Sequence, residues 1–296
     1  TSARSAALAT ASMSARCAPN GLITKSVSTT ALYAARVQDD PPNSPTIDVD
    51  SYLEWIGFVG TVQHDRATLG ELQQLHMTAV PFENLDIVAG HGVTVDALSN
   101  VNKIVEQGRG GWCFELNGAF ALLLEALGFR VVRLGAAVLL DGPTRVIDHL
   151  ALEVQIDRPY LVDVGFGDSF INPIDLNAAG PQDGGNATYE LIGSPQGTTL
   201  TRHDATGIPE AQYRFKRVAH TMCQFEHASE SLQADPDKHW RVKPFATRLL
   251  DRGPDRVTLS TDRLIVVRGD ITTETLISHD EWDPTLHAWF GMHRRA

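Results

Sequence analysis

The sequence predicts an α+β protein, and three observations carry that reading. Apolar residues recur at helical spacing from Asp50 to about Leu127, the period shortens to strand alternation from Val131, and the stretch from about Phe225 to Ala296 mixes both. The chain has 296 residues, 43% of them apolar. That is ample for a sizeable core, and at ~150 residues per domain it allows two domains or three small ones.

Residues 1 to 45 stand apart. They are rich in Ala, Ser and Thr, hold no acidic residue before Asp39, and end in Asp39-Asp40-Pro41-Pro42-Asn43-Ser44-Pro45. Such a composition builds no core, so a poorly ordered N-terminal extension is expected. It lacks the apolar run of a signal peptide and only loosely resembles a transit peptide. The first helical pattern follows, with Tyr52, Leu53, Ile56 and Val59, and the second with Leu69, Leu72, Leu75 and His76. From Trp112, Leu116, Phe120, Leu123 and Leu127 form a stripe, and Gly128 sits where a glycine would end that helix.

Val131 to Leu140 reads as a strand closed by Asp141-Gly142-Pro143. Next, Leu150, Leu152, Val154 and Ile156 alternate with His149, Ala151, Glu153 and Gln155, the mark of a half-buried strand. Tyr160 to Phe166 alternates in the same way, followed by strands near Tyr189 to Ile192 and Thr199 to His203. The mixed last stretch holds strands at Arg256 to Leu259 and Leu264 to Val267. Trp282, Trp289 and Phe290 are expected to pack that region, and Cys223 to lie in the core.

Composition excludes several classes. A formal net charge of −11 argues against a general nucleic-acid binder, which needs clustered Lys and Arg. No apolar run approaches the roughly 18 residues of a membrane span. Cys17, Cys113 and Cys223 are too few and too far apart for a disulfide framework, and no ligand spacing points to a metal. A reducing, cytoplasmic setting fits that usage.

The richest local signal is Arg109-Gly110-Gly111-Trp112-Cys113-Phe114-Glu115-Leu116-Asn117. A cysteine at the first turn of a helix meets unpaired N–H groups and the positive end of the helix dipole, which suit an anionic sulfur and an oxyanion. The two glycines would let a substrate carbonyl approach the backbone. Glu115 opposes negative charge on the sulfur, so a cationic partner is required. A buried structural cysteine is the alternative reading. A cysteine nucleophile needs a base oriented by an acceptor. His149 lies on the polar side of its strand, and Asp163 is the lone charge in Leu161-Val162-Asp163-Val164-Gly165-Phe166-Gly167. Both numbers are odd, so an antiparallel pair with an odd-length loop at Asp157-Arg158-Pro159 puts them on one face.

Together with Pro81-Phe82-Glu83-Asn84-Leu85 and His149-Leu150, these segments resemble the arylamine N-acetyltransferase family over roughly residues 46 to 296. The resemblance implies that Cys113 is acylated, that His149 activates it and that Asp163 orients His149. It also implies that Glu83 and Arg109 support the site as a pair, and that Phe82 and Phe166 line the aromatic acceptor pocket. The implied fold is a helical domain over residues 46–128, a β-barrel domain over 129–234 and an α/β lid over 235–296, related to papain-like cysteine proteases. The implied reaction is ping-pong, with acetyl-CoA as co-substrate, an aromatic amine or hydrazine as acceptor, no permanently bound cofactor and no metal. A cysteine hydrolase with the same triad is the competing reading. A monomer or homodimer is expected, without nucleic-acid or membrane partners. Asp148, beside the base, departs from the small or uncharged residue common in the family. No phosphate-binding glycine loop is present, and Arg241, Lys243 and Arg248 are the basic residues considered for the CoA pyrophosphate.

Overall fold

The computed structural model describes residues 47–203, 206–236 and 239–295, so the extension expected over residues 1–45 lies outside the described residues. Five helices come first: α1 (Val49–Ile56), α2 (Arg66–Ala79), α3 (Leu85–Val88), α4 (Ala97–Val105) and α5 (Cys113–Ala126), with strand β1 (Phe82–Glu83) between α2 and α3. Three of them start alike. Asp48, Asp65 and Asp96 each accept the backbone N–H three residues on, from Ser51 at 3.0 Å, Thr68 at 2.8 Å and Ser99 at 3.0 Å, satisfying an orphan donor of the first turn.

Helix α5 is more deeply buried than its predicted stripe required. Phe114, Leu116, Ala119, Phe120, Leu123 and Leu124 are all fully buried, so it runs through the centre of the core rather than along its edge. Gly128 ends it in the left-handed conformation, φ 88°, as its position predicted. The N–H groups of Gly128 and Phe129 close back onto Glu125 and Leu124 at 3.0 and 2.9 Å.

The next eight strands are β2 (Arg130–Val138), β3 (His149–Gln155), β4 (Pro159–Val162), β5 (Ile174–Asp175), β6 (Gln182–Asp183), β7 (Thr188–Ser194), β8 (Gly197–His203) and β9 (Pro209–His220). They form one antiparallel sheet in the order β5-β4-β3-β2-β9-β8-β7-β6 that curls into a nearly closed barrel. One side chain bridges the gap between its edges. Gln182 on β6 accepts the Asp175 N–H on β5 at 2.8 Å and donates to the Asp175 carbonyl at 3.0 Å. Leu134, Ala136, Ala151, Leu161, Tyr189, Leu200, Tyr213 and Phe215 fill the interior.

Strand β3 departs from its predicted half-exposed state, because both of its faces are covered. Leu150, Leu152 and Val154 join the core around α5, while Ala151 faces the barrel interior. The β3–β4 register places Leu152 opposite Val162 and Gln155 opposite Pro159, leaving a three-residue turn at 156–158. Odd positions therefore oppose odd positions, and His149 shares a face with Asp163, one residue past β4.

A 3₁₀ turn (Met222–Phe225), α6 (Glu226–Ala234) and α7 (His239–Val242) lead to β10 (Ala246–Leu249), β11 (Arg256–Leu259), β12 (Arg263–Arg268), β13 (Ile271–Leu276) and α8 (His279–Phe290). Cys223, expected in the core, is exposed on the 3₁₀ turn; Phe225, two residues on, fills the buried place instead. Strands β10 to β13 form an antiparallel sheet that β1 completes at one edge, through Phe82 opposite Thr247 and Glu83 opposite Ala246. Trp282, Leu286 and Phe290 of α8 pack on Val257 and Leu259 of that sheet. Among the described residues no helix is long and apolar enough to cross a membrane.

Because Gln182 supplies two hydrogen bonds across the barrel's only gap among the described strands, Gln182→Ala should lower stability by about 1–3 kcal/mol, read as a shift of the urea midpoint at unchanged slope.

Candidate active site

The start of α5 is fixed by its own chain before any ligand is considered. Gly111 donates to the Pro81 carbonyl at 3.3 Å and accepts from Glu83 at 2.9 Å, so the glycine pair runs beside β1. A Cβ on Gly110 would sit 2.0 Å from the Pro81 oxygen, and one on Gly111 would sit 2.6 Å from a Glu115 carboxylate oxygen. The sequence reading gave these glycines to an approaching substrate. Here the protein itself occupies the space, and only glycine fits.

Cys113 is the first residue of α5, a free thiol that is 7% exposed. Its sulfur lies 3.9 Å from the Asp148 carbonyl oxygen, and it interacts with the ring of His149, the next residue. His149 Nε2 donates to Asp163 Oδ2 at 2.7 Å. The ring is 2% exposed and the aspartate 0%. Such a buried carboxylate must have its oxygens satisfied, and it does. Asn117, one turn along α5, donates to Asp163 Oδ1 at 2.8 Å, and the Gly165 N–H donates to the same oxygen at 2.9 Å. Asn117 also donates to the Leu150 carbonyl at 2.6 Å and accepts from the Val164 N–H at 3.0 Å. Gly165 comes so close to the helix that a Cβ there would meet Cys113 Cα at 2.7 Å.

Burial of the His149 ring opposes its charged form, but the Asp163 carboxylate and the Cys113 sulfur outweigh it and push the ring up to about 10. Phe166 lies 5.1 Å and Tyr213 5.0 Å from the ring, walling it on the barrel side. Burial and the Asp163 carboxylate push the Tyr213 hydroxyl well above its usual range. Phe82 packs on Phe245 at 5.5 Å, and a Cβ on Gly167 would meet its ring at 3.2 Å.

Beneath the helix start lies a buried chain of charges. Glu83 and Arg109, expected as a pair, meet at 2.8 Å; Arg109 reaches Asp86 at 3.1 Å; Lys103 holds Asp86 and Glu115, each at 2.8 Å. Glu115 also caps α5 by accepting the Trp112 N–H at 3.1 Å. Burial pushes the Glu115 carboxyl up to about 7 against the pull of Lys103. Lys103 is thus the cation that Glu115 required.

Lys103, Asp86, Asn117 and Tyr213 were not singled out from the sequence. The i, i+4 spacing of Cys113 and Asn117 was the one signal available, since it puts both on one helix face. Asp148 turns its carboxylate onto the Val138 N–H at 2.8 Å. Of the basic residues considered for the pyrophosphate, Arg248 is spent on the Trp289 and Thr78 carbonyls at 2.8 and 2.9 Å, and Arg241 on the Gln233 carbonyl at 2.6 Å.

Two outcomes follow from these charges. The folded His149 ring keeps its proton to about pH 10, whereas an unfolded ring loses it near 6.5; the resulting stabilisation is whole below 6.5 and drains away as pH rises toward 10. In Asp163→Asn the largest raising cause is lost, and the ring should titrate below the wild-type value of about 10, followed by its NMR shifts. Lys103→Met leaves Glu115 without its cation and removes one of those facing Asp86, and should cost about 3–5 kcal/mol in urea unfolding, while the double variant Lys103→Met, Glu115→Gln should recover much of it.

Comparison with known proteins supplies the context. Residues 65–295 match the family model described as N-acetyltransferase. An arylamine N-acetyltransferase of Mycolicibacterium smegmatis is 33% identical over 203 residues, which span 66% of this chain and 74% of that protein. A pineal gland isozyme of arylamine N-acetyltransferase from Gallus gallus is 41% identical over 126 residues, 41% of this chain and 43% of that one, so this alignment spans under half of the chicken enzyme. Among solved structures, Mycobacterium marinum arylamine N-acetyltransferase in complex with CoA matches with a TM-score of 0.76 at 29% identity, over 82% of this chain and 92% of that one. The M. smegmatis enzyme matches at 0.77 and 29%, over 83% and 93%. With its helices, barrel and flanking sheet arranged as in those structures, the chain belongs to the arylamine N-acetyltransferase family.

Proposed function

We propose that this protein moves an acetyl group from acetyl-CoA to the nitrogen of an aromatic amine or hydrazine, by a ping-pong route through a thioester on Cys113. The observation that carries the reading is His149, held between the Asp163 carboxylate at 2.7 Å and the Cys113 sulfur. In the first half, His149 carries the proton it shares with Cys113, and the sulfur attacks the thioester carbonyl carbon. The N–H groups at the start of α5 face the developing oxyanion. The carbon–sulfur bond to CoA then breaks, and CoA leaves as the thiol with the proton from His149. In the second half the amine nitrogen attacks the acetyl carbon, gives its proton to the ring, and departs as the amide as the carbon–sulfur bond breaks, which restores the proton-sharing Cys113–His149 pair. Asp163 stabilises the imidazolium in both halves without taking the proton.

Water competes with the amine for the acetyl-enzyme. Phe166 stands 5.1 Å from the His149 ring and Phe82 packs on Phe245 at 5.5 Å; on this reading these apolar rings line the approach, an environment that suits an aromatic acceptor and disfavours water. The same reading divides the chain into a helical part at residues 46–128, a barrel part at 129–234 and a lid at 235–296.

Incubation with acetyl-CoA should add one acetyl group to Cys113, seen by mass spectrometry, and rapid turnover should then need an arylamine or hydrazine. Cys113→Ala should lose the adduct and reduce CoA release at least about 10³-fold. Peptide cleavage without acetylation by acetyl-CoA would instead make the protein a hydrolase.

A further inference from the structure

We propose that Asn84 is a positioning residue for the amine acceptor: its side chain fixes the connection between α7 and β10, and with it the ring of Phe245 against Phe82. The assignment rests on the acetyl-transfer reading above, in which those rings line the approach to the sulfur.

The first observation is where the Asn84 amide points. Asn84 stands just before α3, where an asparagine ordinarily accepts an N–H of the helix it begins, yet it makes no such bond. Glu83 takes the Leu85 N–H instead, at 2.5 Å. The Asn84 side chain is buried and turned onto the segment that follows α7. Its Nδ2 donates to the carbonyls of Trp240 and Lys243 at 2.5 and 2.9 Å, and its Oδ1 accepts the Phe245 N–H at 2.9 Å. Its backbone N–H donates to the Phe245 carbonyl at 3.4 Å, so both main-chain polar groups of Phe245 meet this one residue.

The second observation is why the segment needs it. Helix α7 is one turn long, and the residue whose N–H would bond to the Trp240 carbonyl is Pro244, which has none. The backbone from 240 to 245 cannot close that bond itself, and the amide of Asn84 closes it from outside. Two donations and one acceptance are made at once, which a carboxylate or a hydroxyl of that length could not supply.

The third observation links the segment to the site. Phe245 packs on Phe82 at 5.5 Å. The Phe82 backbone bridges to Gly111, two residues before Cys113, and its ring would meet a Cβ on Gly167, one residue past Phe166. Phe82, Phe166 and Phe245 are each half-buried, whereas Phe114, Phe120 and Phe170 are closed off completely. Moving the 240–245 connection therefore displaces one of three open rings, while the Asn117 bonds to Leu150, Asp163 and Val164 keep helix and barrel in register.

The test separates acceptor from nucleophile on the full chain, with p-anisidine as the amine and iodoacetamide as a small probe of the Cys113 sulfur. In Asn84→Ala, KM for p-anisidine should rise at least roughly tenfold, and hydrolysis of acetylated Cys113 without amine should quicken about fivefold. Alkylation of Cys113 should stay within about twofold of wild type. Asn84→Asp, of equal size, keeps the acceptor and loses both donors; it should show a KM rise of the same sign. Phe245→Ala should raise KM too, and its combination with Asn84→Ala should be no worse than the more impaired single variant, since both act on one ring. An unchanged KM in both Asn84 variants overturns the assignment. So does an additive double variant, and so does alkylation slowed as much as acceptor turnover, which marks a structural defect. If wild type takes no acetyl group from acetyl-CoA, the acetyl-transfer reading fails instead. The anchoring is then judged by hydrogen exchange: the Phe245 amide should exchange at least roughly tenfold faster in Asn84→Ala, and equal rates overturn it.

Discussion

Everything at the site depends on how closely the end of β4 docks on the first turn of α5. The sulfur and the imidazole come from elements 36 positions apart, and neither position has meaning until helix and sheet are locked in register. Two residues make the lock. Gly165 has no side chain to hold the backbone away from Cys113, and Asn117 bonds to Leu150, Asp163 and Val164 together. The apolar face of β3 supplies the area that drives the docking, since Leu150, Leu152 and Val154 are fully buried against the α5 core. Hydrophobic burial is not directional; the amide of Asn117 is. One supplies most of the driving force, and the other sets the position.

The buried charges serve a second kind of order. Ion pairs taken from water gain little net stability, because desolvation offsets attraction, so Glu83, Arg109, Asp86, Lys103 and Glu115 are poor candidates for simple reinforcement. Their arrangement instead ties α4, the glycine pair, β1 and the start of α5 into one geometry. Glu115 is the joint. It fills the space left by the missing side chain of Gly111, caps the helix through Trp112, and has its charge met by Lys103. A neutral helix start would tolerate small shifts; a fully bonded carboxylate does not.

Much of this was legible in the sequence, and the exceptions have physical reasons. Periodicity located α5, its glycine stop and the strands at Thr188–Ser194, Gly197–His203, Arg256–Leu259 and Arg263–Arg268. Parity alone placed His149 and Asp163 on one face, because strand alternation is exact to one residue. Strand β9 escaped notice: within Pro209–His220 the inward Tyr213 and Phe215 sit among charged residues that a barrel exterior tolerates. The two-residue strands β1, β5 and β6 are too short to show a period. Lys103 was invisible because a lysine on an amphipathic helix reads as solvent-facing, and its carboxylates lie 17 residues before it and 12 after. The glycines were legible as a constraint, but their neighbours, Pro81 and Glu115, could not be inferred from spacing.

Net charge illustrates how far a bulk property reaches. The value of −11 sets the long-range field and argues against polyanion binding over the surface as a whole. It says nothing about where individual cations stand once folding has assigned partners. Arg109 and Lys103 are consumed beneath the helix, Arg248 by backbone carbonyls at the β10 edge, and Arg217 by Glu153 across the barrel wall. A cation bound inside the protein has little left to offer a ligand. What matters for recognition is the remainder, and around the barrel it includes Arg145, Arg214 and Lys216 near the loop that delivers His149. The sign of a protein's field at a distance and the sign of its contacts at a site are therefore independent, and the second is fixed by which pairs the fold completes.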